Sequence, residues 1–336
     1  MKKKKIVFSA IQPSGRLTLA NYIGTMQHWE KMQIANQCIY CIADLHAITG
    51  LQNKSVNLLE NILDTLALYL AIGIDPKKSI IFLQSDVLEH CQFYWILNCH
   101  TYYGELLRMN QFKQKSKTCS NRNNINTGLL NYPILMASDI LLYKTDLVPM
   151  GVDQTQHLEL TRNIAKRINF IFKKEILVVP QAYISTLGSK IMSLSDPLVK
   201  MSKSDKKEDS TIFLFDSLED ISRKINKAIT DSDYPPKIYY NFEKKPGISN
   251  LLEIVSAINN SSISSLVSCF SGKTYQEFKS FVILSIFNKL NLLQKNYLKW
   301  RKNEHLLFNI ARTGANKAKK IAISTLQEIY FYLKLN

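Results

Sequence analysis

The sequence predicts an α/β fold: a parallel sheet built by the first half of the chain, followed by an all-helical second half. Three observations carry this. Short apolar segments at Ile6–Ile11, Cys38–Ala43 and Ile80–Leu83 read as strands. Between the second and third, Val56, Leu59, Ile62, Leu63, Leu66 and Leu70 recur at helical spacing. Strand, helix and strand in that rhythm form parallel sheets covered by helices. From about Leu218 the pattern changes, and Ile221–Ile229, Ser249–Ile258, Phe278–Leu290 and Ala315–Leu333 all read as helices with no strand among them.

Taken in order, the first strand runs into Gln12-Pro13-Ser14-Gly15, a turn in which proline presets φ and glycine relaxes it. A helix is expected from Leu19. The helix ending near Leu70 is closed by Gly73, with Pro76 just beyond. Ligands bind beyond the carboxyl ends of the strands in such sheets, which places Gln12–Gly15 and Asp44–His46 at the expected site. Gln111–Gly128 is polar, basic and aperiodic, and reads as a mobile surface loop. Ile134–Tyr143 reads as a packed helix or its start, and Gln156–Ile168 as another helix after the turn at Pro149–Gly151.

The chain has 336 residues, 46% of them hydrophobic, which supports a sizeable packed core. With 43 basic against 27 acidic residues its net charge is +16, a balance that suits an anionic partner such as nucleic acid. No signal peptide follows the basic start MKKKKIVF, and no apolar run is long enough to span a bilayer. Cys38 and Cys41 have the spacing of half a zinc site, but nothing nearby completes it. They read as core residues of a strand, in a chain suited to a reducing compartment, and no structural zinc is expected.

The most specific chemistry lies in Val199-Lys200-Met201-Ser202-Lys203-Ser204-Asp205. Two lysines three apart, interleaved with hydroxyls, can grip a polyphosphate from more than one side. Where charge shifts onto pyrophosphate, such donors favour the transition state over the ground state. The second segment is Ser9–Gly15 followed by Thr18-Leu19-Ala20-Asn21-Tyr22-Ile23-Gly24, a strand, turn and polar helix start that offers donors to a nucleotide. Thr18 and Asn21 fall one turn apart and can face one site. Neither a P-loop nor a G-x-G-x-x-G pattern is present, which weighs against kinase-like and dehydrogenase readings.

Together these segments resemble the HIGH-type and KMSKS signatures of the class I aminoacyl-tRNA synthetases, with IQPSG similar to the tryptophanyl branch. Further matches run along the chain: CIADLHAIT at 41–49, GIDP at 73–76, LLNYPILMASDILLY at 129–143, VPMGVDQTQHLELTRNIAKRIN at 148–169, IMSL at 191–194 and KPGISNLLEI at 245–254. The resemblance implies a Rossmann-like catalytic domain over 1–205, a helical anticodon-binding domain over 206–300, and a C-terminal helix over 301–336 packing back on the catalytic domain. It implies a cytoplasmic homodimer that uses ATP with bound Mg2+, L-tryptophan and tRNA(Trp), with no membrane partner.

By the same resemblance, Gln12, Pro13, Ser14, Ala20 and Asn21 form the ATP-contacting start, with Thr18 beside them. Gly151, Val152 and Asp153 form the ribose side, and Ile191 packs on the adenine. Lys200, Met201, Ser202, Lys203 and Ser204 form the phosphate loop, joined by Lys115. Asp139 resembles the selector that accepts the indole N–H, and a carboxylate within its apolar run is costly to bury without a donor. Phe8, Met136, Val148 and Met150 shape the apolar slot, while Tyr132 and Gln154 hold the amino-acid end. His46 and His157 are expected to serve packing or local hydrogen bonding, because an ionised carboxylate substrate needs no base to attack ATP.

The sequence departs from the usual pattern at Ala10 and Ala20, where glycine is frequent, at Val152, where an acidic residue is common, and at Leu45 in place of glutamine. A methyl facing the nucleotide bears on ATP affinity and rate. The rival readings are a tyrosine-specific relative with the same two signatures, and a non-catalytic RNA-binding relative. Arg301, Lys302, Lys317, Lys319 and Lys320 are candidate RNA contacts in the helical part.

Overall fold

The computed structural model describes residues 4–49, 57–118, 125–184, 191–202, 205 and 207–335. Five strands run β1 Ile6–Ile11, β2 Gln37–Ile42, β3 Ile80–Leu83, β4 Leu147–Pro149 and β5 Gln181–Tyr183. The helices are α1 Leu19–Gly24, α2 Trp29–Ala35, α3 Asp44–Ile48, α4 Leu58–Ala71, α5 Glu89–Cys99, α6 Tyr103–Leu107, α7 Asn110–Thr118, α8 Thr127–Leu141 and α9 Thr155–Phe172. Then come α10 Leu218–Lys227, α11 Pro246–Asn259, α12 Ile263–Cys269, α13 Tyr275–Arg301 and α14 Glu304–Leu333.

The chain divides into two compact units. One comprises 1–14, 30–183 and 300–336, and the other 15–29 and 184–299. The first holds a five-stranded sheet of order β3-β2-β1-β4-β5, parallel at every pairing. Ile6 through Ile11 pair with Gln37 through Ile42, and Ile39 through Ile42 with Ile80 through Leu83. A parallel sheet is covered on both faces, so its central strands carry apolar residues without alternation. From Cys38 to Ile42 all five positions of β2 are buried, both cysteines included.

Strand order reverses between β1 and β4, because the chain leaves β1 toward β2 and β3 on one side and returns to β4 on the other. At such a switch point the loops leaving adjacent carboxyl ends diverge and open a crevice. Gln12–Ser14 leave β1 there, and Met150–Gln154 leave β4.

Local signals account for the helix boundaries. Asn57 caps α4, and Gly73, at φ +97°, turns the chain after it. Asn126 caps α8, which carries Pro133 within its span. One expectation is corrected: the polar stretch read as a loop over 111–128 holds α7 and the beginning of α8. The helix survives its lack of an apolar stripe because its entry is tied down. The Asn110 N–H donates to Gln156 Oε1 at 2.8 Å, and Gln156 Nε2 donates to the Arg108 carbonyl at 3.2 Å.

The final helix belongs to the sheet-bearing unit. Gly314 lets α14 lie directly on β3: a methyl added at Gly314 would sit 1.8 Å from the Ile81 carbonyl oxygen. Ala315, Ala318, Ala322, Leu326 and Ile329 continue this contact into the main apolar core. Arg301 is not an open RNA contact. It is held by Glu60 and, at 2.8 Å, by Asp64, both on α4, and by Glu304 at 2.6 Å.

In the second unit, the segment entering α1 is stitched to residues 212–214. Leu19 N–H donates to the Ile212 carbonyl and Leu214 N–H to the Leu17 carbonyl, at 2.8 and 3.0 Å. Beneath them Asp216 and Lys224, each 3% exposed, form an ion pair of 2.5 Å. Asp216 also accepts from Arg16 at 3.0 Å and from the Phe213 N–H at 2.9 Å. A buried charge pair of this kind is tolerated because both carboxylate oxygens are hydrogen-bonded.

Two stability predictions follow from these contacts. Gly314→Ala forces α14 away from β3 and is expected to cost about 1–3 kcal/mol, read as an earlier chemical-denaturation midpoint. Asp216→Ala strands the Lys224 cation and is expected to cost about 3–5 kcal/mol, whereas Arg16→Ala at the exposed edge should cost far less. Equal losses from both would show that the buried pair is not what holds this segment.

Candidate active site

In the sheet-bearing unit, polar side chains gather where the strands end. Asp44 and His46 follow β2, Gln84 follows β3, and Met150–Gln154 follow β4. Asp139 on α8 is 1% exposed, amid an apolar cluster that includes Phe8, Ile140, Val148 and Met150, with Met136 packed against it. Phe8, Val148 and Met150, expected to shape the slot, belong to one core cluster, with Met136 packed against it.

The Asp139 carboxylate is solvated by protein. Gln84 Nε2 donates to Oδ1 at 2.7 Å, His90 Nδ1 bonds the same oxygen at 2.6 Å, and His46 Nε2 bonds Oδ2 at 2.8 Å. Burial by itself would push this carboxyl up, but the bonds from His46 and His90 outweigh it and hold the group below the usual carboxylate range. His90 reaches onward through Nε2 to the Tyr143 hydroxyl at 2.7 Å. Burial keeps that phenol protonated, pushing its titration well above the ordinary range. The ionised Asp139 carboxylate can only accept, so the hydrogen between it and His90 is carried by Nδ1, while Nε2 is bonded to the Tyr143 hydroxyl.

The rings stack as a wall. Phe8 lies nearly parallel to Tyr143, centroids 5.6 Å apart, and Phe82 packs at 5.8 Å from both His90 and Tyr143. Gln84 shows a cost in this arrangement. Its side chain is fully buried, yet among the described residues Oε1 has no hydrogen-bond partner, an omission worth about 1–3 kcal/mol. An amide is kept here for the NH2 it presents to Asp139. Gln84, His90 and Tyr143 were not legible as site residues, because their partners lie 49 to 55 residues away along the chain.

Tyr132 lies nearby, its ring 6.4 Å from that of His46. Its hydroxyl donates to Gln111 at 3.0 Å and bonds His157 Nε2 at 2.7 Å. Both histidines therefore make the local hydrogen bonds expected of them. Gln154 bonds its neighbour Asp153 at 3.0 Å, and Val152 and Asp153 are exposed at the end of β4. Gln12 and Ser14 are exposed after β1, with Pro13 buried between them. The α7 backbone carries position 115, but the Lys115 side chain lies outside the described residues.

The other unit carries the remaining candidates. Thr18 is 2% exposed and caps α1: its Oγ accepts from the Asn21 N–H, and Asn21 Oδ1 accepts from the Thr18 N–H. These bonds form a capping box at the start of α1, and Asn21 remains exposed. Ala20 is half-buried on the same short helix. The lysine-rich segment starts in an antiparallel turn: Met192 bridges Lys200, Ser193 N–H donates to the Val199 carbonyl, and Met201 N–H donates to Ile191. Asn250 on α11 pins the turn, accepting from Met192 N–H at 2.8 Å and donating to its carbonyl at 3.0 Å. Met201, 4% exposed, and Ile191, 2% exposed, anchor it, while Lys200 and Ser202 are exposed. Lys203 and Ser204 lie outside the described residues.

Comparison with known proteins agrees with this arrangement. Residues 1–290 match the family of class I tRNA synthetases for tryptophan and tyrosine (W and Y). The chain is 55% identical over 334 residues to a tryptophan–tRNA ligase from Buchnera aphidicola subsp. Schizaphis graminum, covering 99% of each chain. Its fold matches the crystal structure of tryptophanyl-tRNA synthetase from Mycoplasma pneumoniae with a TM-score of 0.92 at 38% identity, again over 99% of each. The Campylobacter jejuni tryptophanyl-tRNA synthetase complexed with ADP and tryptophan matches at a TM-score of 0.79 and 33% identity, over 98% of this chain and 99% of that one. A parallel sheet with its switch point between β1 and β4, a Lys200-Met201 turn pinned by Asn250 and a full-length likeness to these enzymes lead to one conclusion: the chain belongs to the class I tRNA synthetases for tryptophan and tyrosine.

Proposed function

We propose that this chain activates L-tryptophan with ATP and transfers it to tRNA(Trp). The observation that carries the specificity is Asp139, a buried, ionised carboxylate set in an apolar cluster. Such a group suits a flat apolar ring that carries one N–H donor. Phenylalanine would leave the carboxylate without that donor, and rejection by a missing hydrogen bond is of order 10⁴–10⁵, so the reaction needs no editing domain. The full-length likeness to tryptophan–tRNA ligases favours tryptophan over tyrosine as the substrate.

The chemistry has two steps. The carboxylate oxygen of tryptophan attacks the α-phosphorus of ATP, the bond to the β-phosphate oxygen breaks, and pyrophosphate leaves. The terminal ribose hydroxyl of tRNA then attacks the activated carbonyl, and AMP departs. Both steps depend on positioning and charge stabilisation. In this reading Gln12, Pro13, Ser14, Ala20 and Asn21 contact ATP, Thr18 holds the start of their helix, and Gly151, Val152 and Asp153 take the ribose. Ile191 packs by the adenine, and Lys115, Lys200, Met201, Ser202, Lys203 and Ser204 attend the phosphates. Tyr132 and Gln154 hold the amino-acid end, while Phe8, Met136, Val148 and Met150 line the slot.

Magnesium enters with ATP, since such ions are held chiefly by the substrate's phosphates. Among the described residues no three His, Cys, Asp or Glu side chains stand together as a metal site. The helices of 206–300 are assigned to the anticodon of tRNA, in keeping with the net charge of +16. The segment 301–336 is assigned to the catalytic domain, on whose strand β3 helix α14 lies. A homodimer is assigned by the likeness to these enzymes, and Leu88, Trp95 and Tyr103 are exposed large hydrophobics available to a second copy. The assigned compartment is the cytoplasm; no described helix is long and apolar enough to cross a membrane.

The first test is ATP–pyrophosphate exchange without tRNA, with tryptophan, tyrosine and phenylalanine in parallel. Exchange is expected with tryptophan alone. Exchange driven by tyrosine would move the chain to the sister specificity, and none from folded protein with magnesium would favour a non-catalytic relative. Lys200→Ala is expected to lower the exchange kcat by about 10²–10³ with little change in the KM for tryptophan. A rise in that KM with kcat intact would take Lys200 off the phosphates.

A further inference from the structure

The acceptor capacity of Asp139 is almost used up before any ligand arrives. A carboxylate has about four lone-pair positions, two on each oxygen. Oδ1 receives two donors, from Gln84 at 2.7 Å and His90 at 2.6 Å, while Oδ2 receives one, from His46 at 2.8 Å. One acceptor position remains, and it is on Oδ2. We propose that Gln84 and His90, with Tyr143 behind His90, are positioning residues for tryptophan selection: by saturating Oδ1 they leave Oδ2, beside His46, as the sole acceptor for the indole N–H. This rests on the reading of Asp139 as the selector, and it adds which oxygen serves and what aims it.

The ionised Asp139 carboxylate can only accept, so His90 presents Nδ1–H to it, and the Tyr143 hydroxyl holds the ring from the far side through Nε2. Ser138 Oγ donates to the His90 carbonyl at 2.7 Å, tying the backbone of α5 to the residue next to Asp139 on α8. Both ring nitrogens of His90 are engaged, and the ring is packed against Phe82 and Tyr143. Stability alone does not explain these groups. An apolar replacement of a buried polar network is often neutral or stabilising, and Gln84 keeps an orphaned carbonyl oxygen to serve its place in this one. A second acceptor facing the slot would admit other donor geometries; a single aimed lone pair admits one.

The test is ATP–pyrophosphate exchange on the full chain, scored as the tryptophan-to-phenylalanine ratio of kcat/KM, with thermal melting in parallel. His90→Leu removes the Nδ1 donor and is expected to raise the KM for tryptophan about 10–100-fold, the usual scale for partners that orient a ligand group. The KM for ATP should stay within about twofold, and the selectivity ratio should fall with the tryptophan term. His90→Asn, whose amide NH2 stands near the Nδ1 position, is expected to recover most of that ratio. Tyr143→Phe removes one hydroxyl from a packed ring and should give a smaller loss in the same direction.

A purely structural role would lower the melting temperature and leave the ratio unchanged, which would overturn the proposal. Should His90→Leu fail to fold, Tyr143→Phe decides: unchanged selectivity in that variant overturns it as well. Asp139→Ala separates the two levels. If Asp139→Ala keeps the selectivity, the selector reading itself falls. If Asp139→Ala loses it while folded His90→Leu retains it, the selector stands and the positioning residues do not.

Discussion

A carboxylate that is 1% exposed has to be solvated by the protein, and Asp139 draws that solvation from three separate parts of the chain. Gln84 comes from the end of β3, His90 from the first turn of α5, and His46 from the short helix after β2. Leaving an ion of this kind unpaired in an apolar core would cost several kcal/mol. The ends of two strands and two helices are therefore obliged to meet at one point. Phe8 of the central strand then packs on Tyr143, which completes the wall behind the histidine.

The sheet decides where such a meeting can occur. The strands β1, β2 and β3 are mostly apolar and buried, so polar side chains gather where these strands stop. Parallel pairing puts all the stops on the same side, and the reversal of order between β1 and β4 separates the loops that follow them. Gln12–Ser14 and Gly151–Asp153 leave adjacent strands at that reversal. The turn that carries Lys200 and Met201 is built differently. There an antiparallel turn is anchored by Met201 and Ile191 and held by Asn250, so the backbone at Lys200 is fixed while the residue stays exposed.

Much of this was legible from sequence because it depends on near neighbours. Strands β1 and β3 fall where apolar runs placed them, and α4 ends at its glycine. The lysine-rich segment and the IQPSG turn were recognisable because phosphate chemistry needs those residue types at close spacing. Where sequence misled, the missing information was a distant partner. The stretch at 111–118 looked like a loop because α7 has no apolar stripe; its entry is secured by Gln156, 46 residues on. Thr18 and Asn21, read as able to face one site, also bond each other at N-cap and N3 of the same helix, which the spacing did not show. Arg301 looked like surface charge until Glu60 and Asp64 came to face it.

The amino-acid sequence by itself determined the class of fold, the order of its elements, the family likeness and the residue types available for adenylate chemistry. These follow from periodicity and short motifs, which act within a few residues. Tertiary structure alone decided which oxygen of Asp139 remains open, and that His90 and Gln84 occupy the other. It also decided that Gly314 brings α14 onto β3. Each of these depends on groups tens or hundreds of residues apart arriving within hydrogen-bond or van der Waals distance, and no local pattern encodes where a distant donor will point.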